Sequence, residues 1–388
     1  MSQDDLKKVV AEAFNDIADG ISSNTFEKKV RVGLTMLGSE HGTEELVKAA
    51  NMAKHKYGDF DVILIGQKSE HTFESYEAET PEECHMVMEK LLDEGAIDCA
   101  VTMHYNFPIG VSTVGRVVTP GCGKEMTIAT TTGTYSTNRV ESMVRNAISG
   151  IITAKAMGNT NPSVGILNVD GAKQVERALK ELNSNGYEIN FAASVREDGG
   201  CVMRGNDLLS GTPDVMVTDT LTGNLLVKIF SSFTTGGSYE SLGYGYGPGI
   251  GRNYGRIICI ISRASGAPVI CEALRYAAIL SKNKLTKVKN REFENVCKAG
   301  YDEILDRIKS LKETGAEIDK VVAPPKRVVT YAIAGIDILE LEDAVKELWK
   351  NGVYSESGMG CTGPIILVGE DEKDKAESIL IKNKYIMR

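Results

Sequence analysis

The chain has 388 residues, of which 42% are hydrophobic and 25% charged, and its formal net charge is −9. That length allows two or three domains with sizeable cores, while the acidic balance without a Lys- or Arg-rich block argues against nucleic acid or an anionic membrane as a partner. No stretch approaches the roughly 20 consecutive apolar residues that cross a bilayer. The opening MSQDDLKKVVAEAF lacks a basic segment followed by an apolar one, so no signal peptide is expected. The eight cysteines form no CxxC pair, which fits neither a zinc site nor a disulfide framework. A cytoplasmic, reducing location with mostly structural thiols and no metal is therefore expected.

In chain order, residues 4–21 carry apolar residues at helical spacing. Residues 30–37 then read as a strand, 43–55 as a helix, 62–66 as a strand, 81–94 as a helix and 99–103 as a strand. Such alternation with continuous apolar strands points to a parallel sheet covered on both faces. Residues 110–133, rich in Gly, Thr and Ser, read as loops with one short strand. A helix at 138–157, a strand at 164–169, a helix at 171–182 and a strand at 188–192 follow. Next come a strand at 214–218 and a helix at 225–233. Residues 236–255 hold eight glycines and four tyrosines and read as a mobile loop. No G-x-G-x-x-G register fits there between strand and helix, so a Rossmann dehydrogenase is not expected. A strand at 256–262, a helix at 270–280 and one long helix at 291–314 complete a body ending near Pro324-Pro325. The remaining residues, 326–388, read as a small α+β appendage.

The appendage contains YSESGMGCTGPIILVG, residues 354–369. Glycines around Cys361 would let a partner approach the sulfur, and loop N–H groups would stabilise a thiolate or a developing oxyanion. A tight turn around a small buried thiol is the other reading that the local residues allow. Cys99, at the start of a strand, stands between a second functional thiol and a core residue. His104, just after that strand, stands between an acid/base and a hydrogen-bonded wall residue.

Three body segments carry a family resemblance. Residues 161–168 (NPSVGILN) look like the helix, Pro, strand centre of the phosphotransacylases. Residues 214–228 (DVMVTDTLTGNLLVK) resemble the D-V-V-V-T-D-G-F-x-G-N-x-x-L-K segment of PlsX-type phosphate acyltransferases. Residues 260–265 (IISRAS) resemble the Ser-Arg segment of phosphate acetyl- and butyryltransferases. The resemblance implies two α/β subdomains around a cleft, similar to isocitrate and isopropylmalate dehydrogenases. It places phosphate near Ser262, Arg263, Thr222, Gly223 and Asn224. A guanidinium after a strand suits bidentate phosphate binding. Two departures stand out. The Asp that follows Ser-Arg in transacetylases is replaced by Ser265 and Val269, leaving Glu272 as the nearest carboxylate in sequence. The PlsX-type opening G-G-D is replaced by Gly38-Ser39-Glu40-His41-Gly42.

Body and appendage together resemble the component C alpha subunits of the glycine/sarcosine/betaine reductases. That resemblance implies that Cys361 carries an acetyl thioester, formed when a carboxymethyl group is reductively released from the selenoprotein component A. Phosphate then cleaves it to acetyl phosphate. It further implies no cofactor, inorganic phosphate as substrate, the component C beta subunit and component A as partners, and a homodimer or hetero-oligomer. Two other readings stand beside it. One is a stand-alone phosphate acyltransferase using coenzyme A or acyl carrier protein. The other is a non-catalytic scaffold.

Overall fold

The computed structural model describes residues 29–67, 71–195, 199–314, 321, 323–336, 340–360, 363–383 and 385–386. The helix expected over residues 4–21 and the thiol of Cys361 lie outside them. The first half of the body runs β1 (Val30–Thr35), α1 (Thr43–Lys56), β2 (Phe60–Gly66), β3 (Ser75–Glu77), α2 (Pro81–Asp93) and β4 (Cys99–Thr102). Apart from the short, mostly exposed β3, which the sequence reading does not contain, their bounds agree with that reading within a few residues, because buried apolar strands alternate with amphipathic helices. Thr80, for example, caps α2 by accepting from the Glu83 N–H, and Pro81 follows at the first position.

Residues 110–133 depart from expectation. They form two long antiparallel strands, β5 (Ser112–Val118) and β6 (Glu125–Gly133). Their Thr and Val residues suit a pleated surface, and the threonines satisfy one another: Thr113 Oγ1 lies 2.7 Å from both Thr131 Oγ1 and Thr132 Oγ1. After them come α3 (Arg139–Ala156), β7 (Ser163–Leu167), α4 (Ala172–Ser184), β8 (Asn190–Phe191), β9 (Val202–Met203), α5 (Gly205–Ser210), β10 (Val215–Val217) and α6 (Thr220–Ser232).

The glycine-rich stretch at 236–255 is also corrected. Residues Gly247–Ile250 form β11, a buried strand paired antiparallel to β5 and to β12 (Ile258–Ile260). Gly247 has φ +83° and a Cβ there would run into the Val114 carbonyl, so only glycine permits this pairing. The chain continues through α7 (Ala267–Lys282), α8 (Leu285–Lys298) and α9 (Tyr301–Thr314). The single helix expected over 291–314 is thus two, broken at Ala299-Gly300, where Gly300 takes φ +84°.

Twelve described strands form one sheet in the order β3-β2-β1-β4-β12-β11-β5-β6-β10-β7-β8, with β9 also on β7. Each flank is parallel, and the antiparallel pairs β12/β11, β11/β5 and β5/β6 join the flanks. The fold is therefore α/β with a parallel-rich mixed sheet. A separate sheet, in the order β13-β15-β14, comprises β13 (Tyr331–Ala334), β14 (Ser355–Gly360) and β15 (Gly363–Val368). With α10 (Leu341–Lys350) and α11 (Lys373–Lys382) it closes over a core of its own that includes Val345, Leu348, Ile366 and Leu380. No helix among the described residues is long and apolar enough to cross a membrane.

Candidate functional site

A cavity of about 470 Å³ opens where the two sheet flanks meet. Its walls come from the segment after β4 (Met103, His104, Tyr105, Asn106, Phe107), the end of β6 (Thr132, Gly133), Asn224 of α6, Tyr246 before β11, and Ile260–Ser262 at the end of β12. In open α/β sheets the carboxyl ends of strands are where loops leave room for ligands, and β4, β6 and β12 all point their carboxyl ends here. A second depression, of about 400 Å³, is lined by Lys155, Tyr187 and Glu292 among others. Two of its charges pair, with Lys155 donating to Glu292 at 2.6 Å and Tyr187 to the same oxygen at 3.0 Å.

The structure brings together three of the residues singled out in the sequence: Ser262, Asn224 and His104. His104 is exposed at the rim. Asn224 is set by α6, which starts at Thr220, five residues before the expected boundary at Leu225. The reason is an N-cap: Asp219 accepts from the Thr222 N–H at 3.1 Å and from Thr222 Oγ1 at 2.6 Å. Burial opposes ionisation of Asp219, but the bonds from Thr222 and Arg139 outweigh it and hold the carboxyl below its ordinary value.

Three expected phosphate contacts are assigned differently. Thr222 spends its hydroxyl proton on the Asp219 cap. Gly223 faces the sheet, and its missing Cβ is what lets α6 lie against the Thr130 carbonyl. Arg263 does not line the cavity; its side chain is 67% exposed and donates from Nε to the Gly38 carbonyl at 3.2 Å. This draws the Gly38–Gly42 loop against the Ser-Arg turn, helped by Glu40 N–H donating to the Arg263 carbonyl at 2.9 Å. Cys99 is a core residue: it is fully buried in β4, and burial foremost, then the neighbouring Cys259, pushes its thiol well above the ordinary range. A buried neutral thiol is a poor nucleophile.

Sequence reading missed a buried network behind Ser262. Glu240, fully buried, accepts from Lys228 Nζ at 2.9 Å, Ser265 Oγ at 2.6 Å and Tyr246 O–H at 3.3 Å. Lys228 Nζ lies 3.4 Å from Ser262 Oγ. Ser262 is in turn fixed by its N–H donating to Ser265 Oγ and its Oγ accepting from the Ala264 N–H, both at 3.0 Å. Glu240, inside the stretch expected to be a loop, thus places a sealed carboxylate beside the Ser-Arg turn. Glu272 is elsewhere, bonded to Lys56 and Tyr57 at 2.6 Å each.

Residues 30–367 match the family model described as fatty acid synthesis protein. The chain belongs to that family. Among its relatives is the glycine/sarcosine/betaine reductase complex component C subunit alpha of Peptoclostridium acidaminophilum, 58% identical over 376 residues, covering 97% of this chain and 98% of that protein. The phosphate acyltransferase of Thermotoga petrophila is 26% identical over 238 residues, covering 52% of this chain and 67% of that protein. Among solved structures, a branched-chain phosphotransacylase from Enterococcus faecalis V583 overlaps 65% of this chain and 99% of its own at 16% identity, with a TM-score of 0.45. For this member of the fatty acid synthesis protein family, the segments quoted above for the transacylases now have places. Residues 260–262 and Asn224 meet at one cavity, and residues 161–168 contain β7 in the sheet flank beside it.

Proposed function

We propose that this chain is an acyl-phosphate-forming subunit of a glycine/sarcosine/betaine reductase, working with a component C beta subunit and the selenoprotein component A. The step starts from an acetyl group already held on Cys361 as a thioester. Phosphate in the cavity beside Ser262 and Asn224 attacks the carbonyl carbon, a C–O bond forms, and the C–S bond breaks with its electron pair leaving on sulfur. The phosphate proton passes to the departing thiolate, and acetyl phosphate is released. Holding phosphate in place supplies effective concentration and alignment, and a thiolate is a good leaving group at neutral pH. The observation that carries the reading is the near full-length similarity to a component C alpha subunit, joined to a cavity whose wall includes Ser262.

One observation favours a second reading, direct transfer between phosphate and a free thiol such as coenzyme A. Glu240 beside Ser265 places a carboxylate near the Ser-Arg turn after all. Incubating the full chain with acetyl phosphate and mapping peptides by mass separates the two. An acetyl group on Cys361 supports the thioester route. Acetyl-coenzyme A formation that survives Cys361→Ala, with no label on the protein, establishes the other and removes the first.

A further inference from the structure

Arg263, the charge expected for the anion site, is mostly exposed and donates to the Gly38 carbonyl, and neither residue lines the cavity. A multiply charged anion still needs positive potential there. Lys228 Nζ reaches a residue of the cavity wall, lying 3.4 Å from Ser262 Oγ. We propose that Lys228, held by the buried carboxylate of Glu240, supplies the positive charge of an anion site whose direct contact is Ser262, the anion being inorganic phosphate or an acyl phosphate. The inference rests on the phosphate reading above and names the groups that would make it work.

The pair is asymmetric. The Lys228 side chain is 39% exposed, whereas Glu240 is fully sealed. Burying a carboxylate costs several kcal/mol unless its oxygens are satisfied, and here three donors do so: Lys228, Ser265 and Tyr246. Two of those donors are themselves tied to the site, since Tyr246 lines the cavity and Ser265 Oγ accepts from the Ser262 N–H. The carboxylate therefore fixes Lys228, the Ser262 backbone and one cavity wall at once. Both charges stand one contact from the cavity, Lys228 through Ser262 Oγ at 3.4 Å and Glu240 through the Tyr246 O–H at 3.3 Å. Only the ammonium is partly exposed and has a further N–H to turn toward a bound anion, whereas the carboxylate is sealed behind its three donors. Lys228 orients Ser262 and Glu240 orients Lys228; both are positioning residues.

The test uses two measurements on the full chain: titration of inorganic phosphate into the protein, and the phosphate KM and kcat of acetyl phosphate formation in the complete reductase. Lys228→Met is expected to weaken phosphate binding and raise the phosphate KM about tenfold, the scale of one charged contact, with a much smaller change in kcat. Lys228→Arg should restore most of the loss. Glu240→Gln should raise KM in the same direction, whereas a purely structural role would lower the melting temperature and leave KM unmoved. Unchanged phosphate binding in a folded Lys228→Met protein overturns the proposal; because that change leaves the buried Glu240 without its cation, the Lys228→Met/Glu240→Gln double variant provides the same comparison should the single variant not fold. Should the wild type bind phosphate but form no acetyl phosphate, the reaction reading fails, and the binding comparison still decides for or against Lys228.

Discussion

Gly223 lies so close to Thr130 that a Cβ at residue 223 would fall inside the van der Waals envelope of the Thr130 carbonyl oxygen. Backbone cannot yield as a flexible side chain can, so α6 must shift to admit even one methyl group. Gly223→Ala is expected to cost about 1–3 kcal/mol of stability and to displace Asn224 from the cavity wall. Thermal unfolding together with phosphate titration checks it. An alanine variant that melts and binds like the wild type would mean that the helix is not seated on β6 as described.

Thiol reactivity should divide the cysteines sharply. Cys122 is exposed, whereas Cys84, Cys99, Cys201, Cys259 and Cys271 are buried. Burial pushes the Cys271 thiol up to about 11, and burial followed by the adjacent Glu176 pushes Cys201 up to about 12. Brief treatment of the native chain with iodoacetamide should modify Cys122 and leave those five untouched until denaturant is added. Early labelling of Cys99 would contradict its place in the core. Cys99→Ala should keep acetyl phosphate formation while losing about 1 kcal/mol or more of stability to the small cavity left behind.

The pattern of success in reading the sequence has a physical basis. β1, β2, β4 and the helices α1 and α2 were legible because burial on both faces makes continuous apolar strands, and caps such as Thr80 mark helix starts. β5, β6 and β11 were not, because the glycines in and around them break strands in isolation and mask the β preference of the threonines. Their β structure comes from threonine pairs across strands and from glycines that admit a neighbouring backbone. α6 was half legible: Leu221, Leu225, Ile229 and Phe233 recur every four residues yet stand exposed, so their helical period was visible but not the face that packs. Ser262 and Asn224 were found through family segments. Glu240 was invisible, since nothing in a Gly-Tyr stretch says which acid will be buried against a lysine twelve residues earlier.

Arg263 should matter less than its place beside Ser262 suggests. Its side chain is 67% exposed, its nearest carboxylate is Glu40 at 4.0 Å, and an exposed pair of that kind contributes little. Arg263→Ala is expected to raise the phosphate KM by no more than about threefold, well below the effect of one full charged contact. The two variants compared at the same ionic strength decide which cation serves the cavity. A larger loss from Arg263→Ala than from Lys228→Met would restore the guanidinium to the role its sequence position implied.

The last prediction concerns His85 on α2, whose Nε2 lies 3.3 Å from Thr102 Oγ1 and whose ring meets Tyr105 edge-on at 5.6 Å. Burial foremost, then the proximity of His104, lowers its proton affinity below the ordinary value of 6.5, while Glu82 and Glu89 pull the other way. Protonation is thus harder in the folded chain than in the unfolded one. Between the folded value and 6.5 the unfolded chain holds more protons, so stability rises with pH in that window. The contribution is complete above 6.5 and is lost as pH falls through the folded value. Urea unfolding between about pH 5 and about pH 8 should show this slope on the acid side, and His85→Gln should flatten it. Because Tyr105 lines the cavity, charging His85 should also disturb the wall and weaken phosphate binding over the same acid range. A variant with an undiminished acid slope would show that His85 is as easily protonated folded as unfolded.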